Sequence, residues 1–134
     1  VRAPRPAPGR GWSSQVAAAA WLRDDSAVVA VVGPTGSDAV LNDAPVFADA
    51  EHGGARAVAA LTPSASNAAV APSSPWVFRV CPSDDDAVAA LARFAADSVG
   101  ARRVAVLFRN DQFGRGFSAR VTAALAGAGV QVTE

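Results

Sequence analysis

The sequence predicts an α/β protein with three layers, helices on either side of a mainly parallel sheet. Three observations predict it. Apolar runs of strand length alternate with amphipathic stretches of helix length. The run from Ala27 to Val32 holds no polar residue, the mark of a strand buried on both faces of a parallel sheet. It leads through Gly33-Pro34-Thr35-Gly36 into Ser37-Asp38, a strand–turn–helix passage. Such a passage aims free backbone N–H groups beyond the strand's carboxyl end, where anions bind and where open α/β sheets hold ligands.

The elements follow in order. Val1 to Gly11 carries three prolines, three arginines and two glycines and reads as an extended entry segment. Ser13 or Ser14 caps a helix to about Arg23, with Val16, Ala17, Ala20 and Trp21 on one stripe. Asp24-Asp25-Ser26 turns into the central strand. Ser37 caps a second helix, expected to reach His52, with an apolar face of Val40, Leu41, Ala44, Phe47 and Ala48. Pro45 is expected to kink it or restart it. Ala57 to Leu61 is a short strand that leaves through the polar loop Thr62 to Asn67. Trp76 to Val80 alternates as a strand, and Cys81-Pro82 breaks it.

Ser83 then caps a helix whose first turn holds Asp84, Asp85 and Asp86, read as a solvated start favoured by the helix dipole. Val88, Leu91, Ala92, Ala95 and Val99 recur at helical spacing, and Gly100 stops the helix. Val104 to Phe108 is a further buried strand, and Arg109 to Gly116 a polar loop. Phe117, Val121, Ala124 and Leu125 mark the last helix, and Val130 to Thr133 a last strand. The order is α-β-α-β-β-α-β-α-β.

At 134 residues and 51% hydrophobic content the chain can form a core. Its formal charge is zero, and all twelve basic residues are arginine, a bias assigned to the source genome. No basic stripe or known motif suits nucleic acid. No apolar run reaches the ~18–20 residues that span a bilayer. The one cysteine, Cys81, forms no intrachain disulfide and reads as a small buried hydrophobe. No signal peptide is present, and Val1 rather than Met opens the chain, so a piece of a longer protein is expected.

Catalytic signals are poor. The turn after Val32 lacks the lysine of a phosphate loop, and there is no G-x-S-x-G elbow. His52 is the only histidine and reads as an exposed helix-end residue; with one histidine and one cysteine, zinc is not expected. Three loops leave strand carboxyl ends: Pro34 to Ser37, Thr62 to Asn67, and Arg109 to Gly116. They offer helix-end N–H groups, the hydroxyls of Ser37, Ser64 and Ser66, and the ring of Phe113. That set suits a small zwitterion such as an amino acid. Each member also has a plain structural reading: Ser37 as a cap, the two loop serines as backbone partners, and Phe113 as packing on its helix.

The motifs VVAVVGPTGS (Val28 to Ser37), LTPSASN (Leu61 to Asn67), VFRVCPS (Val77 to Ser83) and VAVLFRNDQFGRG (Val104 to Gly116) occur in this order, with Pro45 twelve residues after Gly33. Over residues 12 to 134 the chain resembles the type I periplasmic binding proteins of the leucine/isoleucine/valine-binding branch. These are substrate-binding components of amino-acid ABC transporters, and the same fold serves receptor ectodomains. The resemblance implies two α/β lobes that close on a ligand. It implies that Ser37 holds the ligand carboxylate, that the carbonyl of Ser64 receives the ammonium, that Ser66 contacts both, and that Phe113 covers the ligand from the second lobe. Gly36 and Ala65 complete the implied ligand-binding set. Phe113 stands where the family commonly has Tyr, and so gives apolar contact without a hydrogen bond. Gly36 stands where some members have cysteine.

The family domain is more than twice this length, so the resemblance implies a partial clamshell. Residues 1–81 correspond to part of the first lobe and 82–134 to the start of the second. The acid that completes the ammonium site would lie beyond Glu134. The implied function is that of an extracytoplasmic, periplasmic or lipoprotein, solute-binding protein without enzymatic activity or cofactor. Its implied partners are a small ligand, an ABC permease and, through exposed surfaces, a second copy of the chain. A sensor ectodomain is the first alternative, and an enzyme on a doubly wound sheet the second.

Overall fold

The computed structural model describes residues 14–133. The elements run α1 (Gln15–Asp24), β1 (Ala30–Val32), α2 (Ser37–Phe47), β2 (Ala59–Thr62), β3 (Val77–Arg79), α3 (Asp84–Arg93), β4 (Arg103–Ala105), α4 (Gln112–Gly127) and β5 (Gln131–Thr133). This is the expected order. All pairings are parallel, in one sheet of order β1-β2-β3 and a second of β4-β5. The entry segment Val1 to Gly11 and the alternative cap Ser13 lie outside the described residues. The fold divides into two compact units. One holds the chain as far as Ala65 together with Ala69–Cys81; the other holds Ser66–Ala68 and the chain from Pro82 onward.

In the first unit, α1 is capped by Ser14, whose Oγ accepts the Ala17 N–H at 3.2 Å. Its buried residue is Ala19, whereas Val16, expected on the apolar stripe, is exposed. Four successive alanines, Ala17 to Ala20, hardly mark a face by hydrophobicity, so periodicity misplaced it. The strand register sets Val31, Ala60 and Val77 side by side on one face. Phe47 packs there with Ala19, Val58 and Ala60, and Val40 and Ala44 pack with Ala65, Val70 and Val77. Burying Phe47 alone contributes about 1.5–3 kcal/mol of transfer free energy. Helix α2 ends at Phe47, two residues past Pro45, and a 3-10 turn at Ala50–His52 follows in place of the longer helix expected.

The opposite sheet face is bare. Val32 is 83% exposed there, and Phe78, aligned with it through Leu61, is exposed as well; Val29 just before β1 and Val80 just past β3 are also exposed. The expectation that β1 is buried on both faces is therefore corrected. Among the described residues helices cover only one side, so its valines alternate in exposure despite their uniform chemistry. Each unit packs its helices on one face of its own parallel sheet.

In the second unit, Val88 and Ala92 of α3 and Val121 and Leu125 of α4 pack with Val104, Val106, Val130 and Val132. Strand β4 ends at Ala105, and Leu107, expected in a buried strand, is wholly exposed. The Ser83 Oγ accepts the Asp85 N–H at 3.4 Å, as a cap should. Asp85 and Asp86 are exposed, but Asp84 is buried, with Oδ2 lacking a hydrogen-bond partner among the described residues. The solvated reading of this acidic turn thus fails at its first member. Helix α3 runs on through a π-helical turn at Phe94–Ser98 and stops at Gly100, in left-handed conformation.

Candidate functional site

The loops after β1 and β2 are stitched together. Gly33 adopts φ +131°, a conformation side chains disfavour, and its N–H donates to the Leu61 carbonyl at 2.8 Å. The Thr62 hydroxyl donates to the Pro34 carbonyl at 2.6 Å and accepts the Ala65 N–H at 3.3 Å. The Ser64 hydroxyl donates to the Thr35 carbonyl at 2.7 Å. Thr62 and Ala65 are fully buried, while Ser64 stays exposed at the surface of this knot.

At the head of α2 the cap is Gly36, in extended conformation; Ser37 is the first helical residue and is buried. The reading of Ser37 as the N-cap is corrected by one position. Asp38 sits in the first turn, where the helix dipole favours an anion. Its Oδ1 is buried without a hydrogen-bond partner among the described residues. The positive end of α2 therefore already carries a carboxylate that can accept a further donor.

Ser66 belongs to the second unit and is half-buried, and its carbonyl accepts the Asp84 N–H at 3.0 Å. Phe113 is in the same unit, on a helix rather than in the expected loop. Asp111 caps α4, its Oδ1 accepting the Gly114 N–H at 2.7 Å, so Gln112 to Gly116 already form helical turns. That N–H bond, with help from Arg109 and Arg115 and against burial, holds the Asp111 carboxyl below the ordinary carboxylate range. Gly114 is required here, since a Cβ would lie 1.9 Å from the Arg109 carbonyl oxygen. The Phe113 ring stacks on Phe117 one turn on, at 5.7 Å between centroids. Both rings border a cleft of about 360 Å³ with Leu107, Phe108 and Arg109, at the carboxyl end of β4.

The sequence-derived residues thus fall into two groups. Gly36, Ser37, Ser64 and Ala65 lie at the strand ends of the first unit, and Ser66 and Phe113 lie in the second. The inward role of Thr62, the unpaired oxygen of Asp38 and the buried amide of Asn67 escaped the sequence reading. Thr62 had a usable signal, as the one β-branched polar residue at the end of an apolar strand; the other two had none.

His52 is exposed, with Nδ1 2.8 Å from Asp49 Oδ1. Asp49 is fully buried and also meets the Arg56 N–H at 3.0 Å and the Arg23 guanidinium at 3.4 Å. Burial opposes its charge, but the Arg56 N–H, the His52 ring and Arg23 outweigh it and hold the carboxyl below its ordinary range. This is a structural clamp on a left-handed residue, φ +51°. Cys81 is a half-buried free thiol rather than the core residue expected. Among the described residues no group of three or more His, Cys, Asp and Glu is placed to hold a metal. No helix there is long and apolar enough to cross a membrane.

Residues 11–134 match the family model of the periplasmic binding proteins. No curated protein matches. Among solved structures, the leucine-binding protein LivK of Thermotoga maritima is 30% identical with a TM-score of 0.78, over 89% of this chain and 33% of its own. An ABC transporter substrate-binding protein of Desulfitobacterium hafniense, in complex with leucine, is 22% identical at a TM-score of 0.72, over 89% and 34%. A solute-binding protein of an ABC transporter from Rhodopseudomonas palustris, in complex with 3,4-dihydroxybenzoic acid, is 20% identical at 0.76, over 90% and 31%. This chain spans about a third of the length of these proteins. With a match over nearly its whole length, the chain belongs to the periplasmic binding protein family.

Proposed function

We propose that this chain is part of an extracytoplasmic solute-binding protein that captures an amino acid or similar small polar ligand for an ABC transporter. Residues 1–81 contribute to the first lobe and 82–134 begin the second. The observation that carries the reading is the knot at the carboxyl ends of β1 and β2, where the Thr62 and Ser64 hydroxyls hold two loops around the head of α2. Open α/β sheets bind ligands at that position. The change of compact unit between Cys81 and Pro82 supports the division into lobes. Gly36, Ser37, Ser64 and Ala65 are the ligand-binding residues of the first unit, and Ser66 and Phe113 those of the second, with Phe113 supplying apolar contact.

Leucine is bound in one of the similar structures and 3,4-dihydroxybenzoic acid in another. Closure of one lobe on the other traps the ligand and presents the closed form to the permease. The role is binding, not catalysis, and no cofactor takes part. Through its bare sheet faces the chain also associates with a second copy of itself.

The test is a binding series with leucine. Ser37→Ala and Ser66→Ala are each expected to weaken binding by about 1–3 kcal/mol, because each leaves a charged group of the ligand short of a partner. Unchanged affinity in both serine variants would remove the pocket assignment.

A further inference from the structure

The loop Ser64-Ala65-Ser66 is divided between the two units. Ser64 and Ala65 are bound within the first, through Thr35 and Thr62. Ser66 to Ala68 are bound within the second. Asn67 lies at the centre of that second attachment and is 5% exposed. Its Nδ2 donates to the Gln112 carbonyl, at 3.3 Å, in the first turn of α4. Gly116, one turn further along α4, faces the same amide: a Cβ there would lie 2.7 Å from Asn67 Nδ2. On the other side of the segment the Ser66 carbonyl takes the Asp84 N–H, at 3.0 Å, from the head of α3. Arg120 borders the same place, with Nη1 on the Gly116 carbonyl at 3.0 Å and Nε 2.8 Å from Asp85 Oδ1.

We infer that Asn67 is a positioning residue: it fastens the Ser66 segment to the first turns of α4, so that the Ser66 hydroxyl and the Phe113 ring are carried by one unit. The inference rests on the reading of Ser66 and Phe113 as ligand-binding residues. Gln112, which receives the Asn67 amide, is the neighbour of Phe113 in the chain, and Ser66 is the neighbour of Asn67. One hydrogen bond therefore spans the two elements that present the ligand groups of the second unit. A buried carboxamide is suited to this, because moving it away strands its donors without water. Gly116 is the matching concession on α4, since any side chain there displaces the amide.

The experiment is a mutant cycle on the full chain, read by calorimetric titration with leucine and with 4-hydroxybenzoate. Asn67→Ala is expected to weaken binding about fivefold, the worth of one ordinary hydrogen bond. Combined with Ser66→Ala it should add nothing, because the two act through the same hydroxyl; combined with Ser64→Ala the losses should add. Gly116→Ala, which keeps Asn67 in the sequence but displaces its carboxamide, should reproduce the loss and should have no effect once Asn67 is alanine. Full additivity of Asn67→Ala with Ser66→Ala, or unaltered affinity, would overturn the inference.

A second readout needs no ligand. Amide exchange at Asp84, whose N–H is held by the Ser66 carbonyl, should accelerate in Asn67→Ala and Gly116→Ala. Unaltered exchange in both variants would overturn the fastening. Should the wild-type chain bind neither probe, the ligand reading fails, and this exchange measurement still decides whether Asn67 holds the segment.

Discussion

Two buried carboxylates place opposite demands on the fold. Asp43 is 1% exposed, and burial pushes its carboxyl above the ordinary value of 3.8, offset in part by the Gln15 bond at 2.8 Å. Its folded form takes up a proton more readily than the unfolded form. Its charge therefore destabilises the fold at neutral pH, and this is relieved as the pH falls through the raised value. For Asp49 the folded value is lowered, so its contribution is present above the ordinary 3.8 and lost as the pH falls through the folded value. Comparing denaturation midpoints at about pH 4.5 and about pH 7.5, Asp43→Asn should gain stability relative to wild type at the higher pH. Asp49→Asn should be destabilised at both, and its deficit should shrink only when the pH approaches the ordinary carboxylate value. A constant offset for Asp43→Asn would contradict its burial as a charge. Neither role was legible in the sequence, because Asp43 and Asp49 look like solvent-facing acids flanking an apolar helix. Ser37 shows a smaller gap of the same kind: it stands at the head of α2, but a cap-forming residue type does not reveal that Gly36 takes the cap.

At the scale of elements, alternating periodicity predicted the order of helices and strands because each helix carries its own start signal. Ser14, Ser83 and Asp111 all cap as their residue types allow. Asp111 lay in plain view, but the glycines after it suggested a loop. Gly114 is there because the helix passes against the Arg109 carbonyl, a close approach that composition alone does not announce. The faces of the strands were less legible, since a run of valines looks alike whichever side is covered. Phe47 joins three elements, packing on Ala19 of α1 and Ala60 of β2 from its place on α2. Phe47→Ala should cost about 3–5 kcal/mol in chemical denaturation and should speed amide exchange in α1. A loss under about 1 kcal/mol would mean that α1 and α2 do not depend on this contact.

At the scale of the molecule, the exposed apolar residues are what the proposed association with a second copy rests on. Val32 and Phe78 stand on one sheet, Val29 and Val80 flank its strands, and Leu107 stands clear beyond the end of β4. Contiguous apolar patches with open strand edges favour association. Sedimentation at about micromolar concentration should show a dimer or larger species, and Val32→Lys with Phe78→Lys should shift it toward monomer. A monomer in the unsubstituted chain would refute association through these faces. The family could be named from the sequence because four short motifs and Pro45 kept their order. The placing of Ser66 with Asn67 in the second unit could not, because it depends on which helix captures a three-residue segment.

The central claim is that the strand-end knot at Pro34, Thr35, Thr62 and Ser64 frames a site for an amino acid. The most direct test is calorimetric titration of leucine into the chain carried in its native flanking sequence, beside the Ser37→Ala variant. The account predicts saturable binding of one leucine, weakened by about 1–3 kcal/mol in the variant. Absence of binding by leucine and every other amino acid, or binding that neither Ser37→Ala nor Ser66→Ala alters, would contradict it.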